Sequence, residues 1–203
     1  MINGIVLIDK RKYISSNEIL SIFKKKVPTT KAGLLGILDP LATGLLPVVI
    51  GEATKYTPYI QDNKKTYDVK CKLGVFSECG DYELEPIIFD HEKDIIESLT
   101  VERIKNTFKN FLGNYSQIPP MFSATKYKGK PLYSYARENI TIEREPKNRF
   151  IYNLKLISLN NDLLNLRVTC SSGTYIRTLI QDISKKLKIL ERLSAEQKKQ
   201  EAI

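Results

Sequence analysis

The chain has 203 residues, 42% hydrophobic and 27% charged, a globular composition that excludes wholesale disorder. Its 32 Lys and Arg against 23 Asp and Glu leave a formal net charge of +9, which suits a polyanionic partner and equally a basic surface kept for solubility. The single histidine, His91, and three cysteines without CxxC spacing, Cys71, Cys79 and Cys170, argue against a Ser-His-Asp triad and a His/Cys metal site.

The opening "MINGIVLIDKRKY" lacks an apolar region of signal length and a small-residue cleavage site. With the odd cysteine count, this predicts a cytosolic protein with reduced thiols. Gly, Asp and Pro interrupt the early apolar stretches, so no membrane span is expected. The length suits one domain with a real core.

In chain order, Ile5–Asp9 reads as a first strand. The segment "SSNEILSIFKKKV" reads as a helix, with Ser15 and Glu18 at capping-box spacing and Ile19, Leu20, Ile22, Phe23 and Val27 at helical spacing. The stretch "LLGILDPLATGLLPVVIG", Leu34–Gly51, then holds one charged side chain, Asp39, and one other polar one, Thr43. A buried ionised carboxylate costs several kcal/mol unless something compensates it. Pro40 biases Asp39 towards extended backbone, and Gly36 and Gly44 allow sharp turns around it. By itself this pattern fits a structural Asp-Pro turn more readily than a catalytic loop.

From Tyr67 the pattern alternates strictly. Tyr67, Val69, Cys71, Leu73 and Val75 share one face, and Asp68, Lys70 and Lys72 the other, which predicts a half-buried strand. "TVERIKNTFKNFLG" predicts a helix with Thr100 near its start, a buried stripe of Ile104, Phe108, Phe111 and Leu112, and Gly113 ending it. Residues 117–149 change character to a Pro pair, many Lys and Arg, and interleaved Tyr; alone, this reads as a solvated basic loop. Two strands, Phe150–Leu159 and Leu163–Cys170, follow as a hairpin through "NND". In "SSGTYIRTLIQDISKKLKIL", Thr174 reads as a cap and Ile176, Leu179, Ile180, Ile183 and Leu187 lie at helical spacing; the polar tail after it is expected to fray. Helices and strands mix without regular βα alternation, so the fold class is α+β.

Four stretches in this order, "LGILDPLATGLLPVVIGEATKY", "KTYDVKCKLG", "IPPMFSATKYKGKPLYSYAR" and "CSSGTYIRTLIQD", resemble the TruB-type tRNA pseudouridine synthases, which isomerise uridine-55 in the T-loop. The resemblance runs from about Gly4 to Asp182. It implies the pseudouridine synthase catalytic fold, a mixed, largely antiparallel sheet flanked by helices, as one domain over 1–203. It also implies a basic RNA-gripping thumb over about 117–149.

Carried over by position, Asp39 matches the nucleophilic aspartate, Tyr67 the tyrosine that packs against the target base, and Arg177 the arginine that ion-pairs with the aspartate. Tyr175 matches a pocket-wall residue, and Lys10 and Lys55 match basic positions near the RNA. Lys126, Lys128, Lys130 and Arg137 would contact phosphates, with Tyr127 and Tyr133 packing on sugars or bases. An apolar pocket raises a carboxylate's pKa and a guanidinium lowers it, which agrees with Arg177 as the partner charge. Read without the resemblance, Arg177 is a surface arginine of an amphipathic helix, and Tyr67 is a core residue. The implied reaction flips the uridine out of its loop and needs no cofactor and no metal. The expected protein is a cytoplasmic monomer acting on the T stem-loop of tRNA, with no membrane partner.

The chain departs from the pattern in places. Leu34 and Leu35 stand where the family usually has histidine and threonine, and "DKRKY" stands for the expected "DKPxG" opening. After Asp182 the expected "GAH" and "LRR" segments are missing, and no C-terminal PUA domain is expected. These departures leave an alternative, a catalytically weak tRNA-binding protein acting as a folding chaperone.

Overall fold

The structure is a computed structural model that describes residues 2–27, 31–61, 64–77, 79–80, 87–88 and 93–189. His91 and the polar tail predicted to fray lie outside the described residues. The chain divides into two compact units, Met1–Asn63 and Lys64–Ile203. Among the described residues every strand pair is antiparallel, and no helix is long and apolar enough to cross a membrane.

The first unit is built on a three-stranded sheet, with β1 (Gly4–Lys10), β2 (Ala32–Leu34) and β3 (Gly44–Ile50) in the order β1-β3-β2. Its central strand supplies the buried side chains Leu46, Val48, Val49 and Ile50. The helix α1 (Ser16–Lys26) starts where its sequence predicts, because the Ser15 hydroxyl accepts from the Glu18 N–H at 3.1 Å. Lys24, Lys25 and Lys26 complement its C-terminal dipole. A 3-10 turn (Gly51–Tyr56) and a short helix α2 (Thr57–Gln61) close the unit.

The second unit holds a four-stranded sheet, ordered β4-β11-β10-β7, from β4 (Lys65–Lys72), β7 (Gly113–Gln117), β10 (Lys147–Asn160) and β11 (Leu163–Cys170). β4 alternates half-buried and exposed residues as its period-2 pattern demands. The expected hairpin joins β10 to β11, with Asn161 in the left-handed region at φ 51°. Two helices, α4 (Val101–Lys109) and α6 (Ile176–Lys186), supply Ile104, Phe108, Leu179 and Ile183 to a core shared with Ile151, Leu154, Leu164, Leu166 and Val168 of the sheet. Each such side chain stabilises the fold by roughly 1.5–3 kcal/mol of burial. The remaining elements are short: β5 (Val75–Phe76) paired with β6 (Ile87–Ile88), α3 (Lys93–Glu97), and between β7 and β10 a hairpin of β8 (Lys126–Tyr127) and β9 (Lys130–Pro131) leading into α5 (Leu132–Ala136).

Two local expectations are corrected. Leu112 is not part of the buried stripe of α4; the helix ends at Lys109, and the chain turns outward through Gly113, φ 84°, leaving Leu112 exposed. Thr174 does not cap α6. The N-cap is Tyr175, and the Thr174 hydroxyl donates to Ser171 O at 2.8 Å within the preceding turn.

Candidate active site

In the first unit, Asp39 lies half-buried in the loop between β2 and β3, and its neighbours are fixed one by one. Ser16, 1% exposed at the start of α1, donates to Leu38 O at 2.9 Å and accepts from Leu38 N–H at 3.0 Å. The Ala42 N–H donates to Asp39 O, and the Tyr13 N–H to Pro40 O. Gly36 and Gly44, at φ 123° and 124°, let the loop leave and rejoin the sheet. A loop whose backbone is held this way loses little further freedom when it meets a substrate.

Lys10 was expected at an RNA-contacting surface, and the structure corrects this. Its side chain is fully buried at the end of β1, and its ammonium donates to Arg11 O at 3.0 Å, Pro40 O at 3.0 Å and Ala42 O at 2.6 Å. An ammonium has three donors and no acceptor, so three carbonyls saturate it. Burial lowers the Lys10 pKa, and the Asp39 charge pulls it back up. Lys10 therefore pins the Asp39 loop from beneath and places a positive charge by the carboxylate. Lys55 is on the surface as expected, ion-paired with Glu52 one turn earlier, and that pairing holds the Glu52 carboxyl below its usual range.

In the second unit, Tyr67 sits on β4 opposite Val168, half-buried and packed against the core. Arg177 lies in the first turn of α6, where its guanidinium donates to Cys79 O and, at 3.0 Å, to Phe122 O. A cavity of about 240 Å³ adjoins it, lined in part by Val69, Cys71, Phe76, Ile176 and Ile180. Tyr175, just before Arg177, is held at three points. Its N–H donates to Gln117 Oε1 at 2.8 Å, its C=O accepts from Gln117 Nε2 at 2.9 Å, and its phenol pairs with the Thr125 hydroxyl at 2.9 Å.

Sequence reasoning missed Ser16 and Gln117. Gln117 is 1% exposed, and its amide also reaches the Tyr115 phenol, which donates to Asp182 Oδ2 at 2.5 Å. Burial, reinforced by that hydrogen bond, pushes the Tyr115 phenol well above its ordinary pKa. The available signal was the alternation of "GNYSQ", which puts Tyr115 and Gln117 on one inward face.

The basic residues between β7 and β10 divide by environment. Lys128 and Gly129 form the tip of the β8–β9 hairpin, at φ 47° and 82°, with the Lys128 ammonium 5.4 Å from the Tyr127 ring centre. Lys126 precedes that tip as an exposed strand residue. The Lys130 ammonium lies 2.6 Å from Glu138 Oε1 and 4.9 Å from the Tyr135 ring centre, and Arg137 stacks at 5.4 Å over Tyr133. The base of the hairpin is tied to the Tyr175 contact, since Leu132 N–H donates to Thr125 O. Arg144 closes the segment by donating to Pro119 O at 3.1 Å and Ile142 O at 3.0 Å.

Comparison with known proteins places these features in a family. Residues 24–176 match the TruB family pseudouridylate synthase (N terminal domain). The chain is 47% identical over 186 residues to the tRNA pseudouridine synthase B of Francisella philomiragia, covering 92% of this chain and 61% of that protein. It is 43% identical over 182 residues to that of Nitrosospira multiformis, covering 90% and 58%. Among solved structures, a chain of the Cbf5-Nop10-Gar1 complex matches with a TM-score of 0.66 at 26% identity, over 92% of this chain and 45% of that one. The chain thus spans about three fifths of the length of these curated relatives. With an antiparallel α+β architecture of pseudouridine synthase type and three quarters of its residues within the family match, the chain belongs to the TruB family of pseudouridylate synthases.

Proposed function

We propose that this chain catalyses the isomerisation of uridine to pseudouridine in tRNA, at uridine-55 of the T-loop. The observation that carries the reading is the Asp39 loop, which lies inside the family match, holds the lone carboxylate of an apolar stretch and is clamped by Ser16 and Lys10. The relatives named tRNA pseudouridine synthase B supply the substrate class.

In this reading the whole chain acts as one catalytic domain, with 117–149 as its thumb. Asp39 is the nucleophile or base, and Tyr67 packs against the flipped base. Tyr175 forms a wall of its pocket, and Arg177 is the arginine of the aspartate's ion pair. Lys55, Lys126, Lys128, Lys130 and Arg137 face the phosphates of the T stem-loop. Lys10 supports the Asp39 loop. The reaction takes no cofactor and no metal, and the protein works as a cytoplasmic monomer.

The test is pseudouridine formation on a T-arm transcript under single turnover, with wild type and Asp39→Asn side by side. Wild type should convert uridine-55, and Asp39→Asn should bind the transcript nearly as well without converting it. Binding without conversion by wild type would overturn the reading and leave a tRNA-binding chaperone.

A further inference from the structure

Arg149 occupies a position where an arginine needs an explanation. It lies on β10 opposite the buried Tyr115, on the face that two residues later carries the core residue Ile151. Arg149 itself is half-buried, and its Nε is fully buried with no hydrogen-bond partner. Among the described residues no hydrogen bond or ion pair engages it. A guanidinium offers five donors and cannot be neutralised by deprotonation, so burying part of it without an acceptor is unfavourable.

Its surroundings suit an acceptor that comes from outside. A Cβ built on Gly173 would meet the two terminal nitrogens and the central carbon of Arg149 at 3.2, 3.4 and 3.3 Å. Three nearly equal distances mean that the planar group lies flat across the Gly173 backbone. A side chain there would push the guanidinium back by a few tenths of an ångström, and Gly173 is also at φ 77°, where side-chain-bearing residues are strained. Of the three guanidinium nitrogens only Nε is both buried and unpaired, so the outer edge of the group reaches the surface beside the exposed Gly173. The turn beneath it is rigid: Ser171 N–H donates to Phe150 O at 2.8 Å, and Phe150 N–H donates to Ser171 Oγ at 3.0 Å. Tyr175 follows that turn directly. Two residues before Arg149, on the same side of β10, the exposed Lys147 has no ion pair among the described residues. Same-side positions on a strand are about 7 Å apart, so the two cations form a short row.

A guanidinium fork matches the two oxygens of a phosphate. We propose that Arg149, with Lys147 beside it, is a phosphodiester subsite that holds the RNA backbone next to the nucleotide at Tyr175. The identity of the anion rests on the function proposed above; the need for one rests on the geometry of Arg149.

The experiment uses the full chain and a T-arm RNA hairpin carrying single methylphosphonate substitutions, each removing one phosphate charge. Binding is measured as a function of salt for wild type, Arg149→Gln and Arg149→Lys, and conversion to pseudouridine is scored on the same samples. Arg149→Gln should weaken binding about tenfold and lower the salt slope by about one. One methylphosphonate position should weaken wild type by a similar factor and leave Arg149→Gln unaffected. Arg149→Lys should fall between, keeping the charge but not the fork. Identical methylphosphonate profiles in wild type and Arg149→Gln would overturn the subsite; if Arg149→Gln does not fold, a full penalty retained at every position by Arg149→Lys would do so. Inorganic phosphate that raises the Tm of wild type but not of Arg149→Gln, without competing with the hairpin, would also overturn it, as a site for free anions. Failure of wild type to form pseudouridine refutes the enzymatic reading alone, since the methylphosphonate pattern still decides the subsite.

Discussion

The side chain of Gln117 brackets the backbone of Tyr175, donating to its carbonyl at 2.9 Å and accepting from its N–H at 2.8 Å. One amide thus does what a neighbouring strand would do. It joins the end of β7 to the N-cap of α6, two residues before Arg177. The Gln117 amide is itself buried, which shields its side of the bracket from water.

Gln117→Leu removes both hydrogen bonds and leaves the Tyr175 amide and carbonyl without that partner. Stability should fall by about 1–3 kcal/mol per group left unsatisfied. Single-turnover conversion should fall more than RNA affinity, because the loss displaces Tyr175 rather than a phosphate contact. Urea unfolding and a rate measurement at saturating transcript check the two halves; equal losses in rate and affinity would contradict this.

Lys10→Met keeps much of the aliphatic stem but removes the three donors beneath the Asp39 loop. The carbonyls of Arg11, Pro40 and Ala42 lose their common partner. We expect a destabilisation of about 1–3 kcal/mol and a large fall in conversion with modest change in RNA affinity. A variant that lost mainly affinity would instead place the ammonium on the RNA. The pH dependence carries a sign. Burial lowers the Lys10 pKa, so below the ordinary lysine value of 10.5 the unfolded chain holds more of this proton. Stability should therefore climb, relative to Lys10→Met, as pH rises towards that value.

Tyr115 gives the opposite slope. Its phenol is held protonated by burial and by its bond to Asp182, so its pKa lies above the ordinary value of 10. That stabilisation is fully present below pH 10, where both states keep the proton, and is lost as pH rises towards the folded value. Alkaline unfolding should be steeper in wild type than in Tyr115→Phe. Parallel curves of unfolding free energy above pH 10 would contradict it.

The lysines of the β8–β9 hairpin should not be equivalent. Lys128 sits at the hairpin tip beside the Tyr127 ring, with no ion pair among the described residues, while the Lys130 ammonium is engaged by Glu138. Lys128→Ala should lower RNA affinity and reduce the salt slope by about one. Lys130→Ala should change the slope less and act mainly by loosening the Lys130–Glu138 contact. A salt titration of hairpin binding with both variants distinguishes them, and equal slope changes would show that Glu138 gives up the ammonium on binding.

Local pattern decided much of this protein. The alternation from Tyr67 to Lys72 makes β4, because a period of two can bury only one face. Ser15 and Thr100 start their helices because each hydroxyl reaches an N–H three residues on. Asn161 closes the β10–β11 hairpin because it tolerates positive φ. The order of four stretches was enough to indicate the family that the comparison shows. Tertiary structure alone decided where the polar side chains of the site point. Lys10 follows a β-strand pattern and reads as a surface cation; it is buried because the loop at Pro40 and Ala42, thirty residues later, brings carbonyls to it. Thr174 reads as the better cap than Tyr175, yet its hydroxyl finds Ser171 O first. Gln117 sits on a strand whose alternation says that it faces inward, and its partner Tyr175 lies on the turn before α6. An inward polar group is legible locally. What satisfies it is set by chain brought from far away, and no local period encodes that.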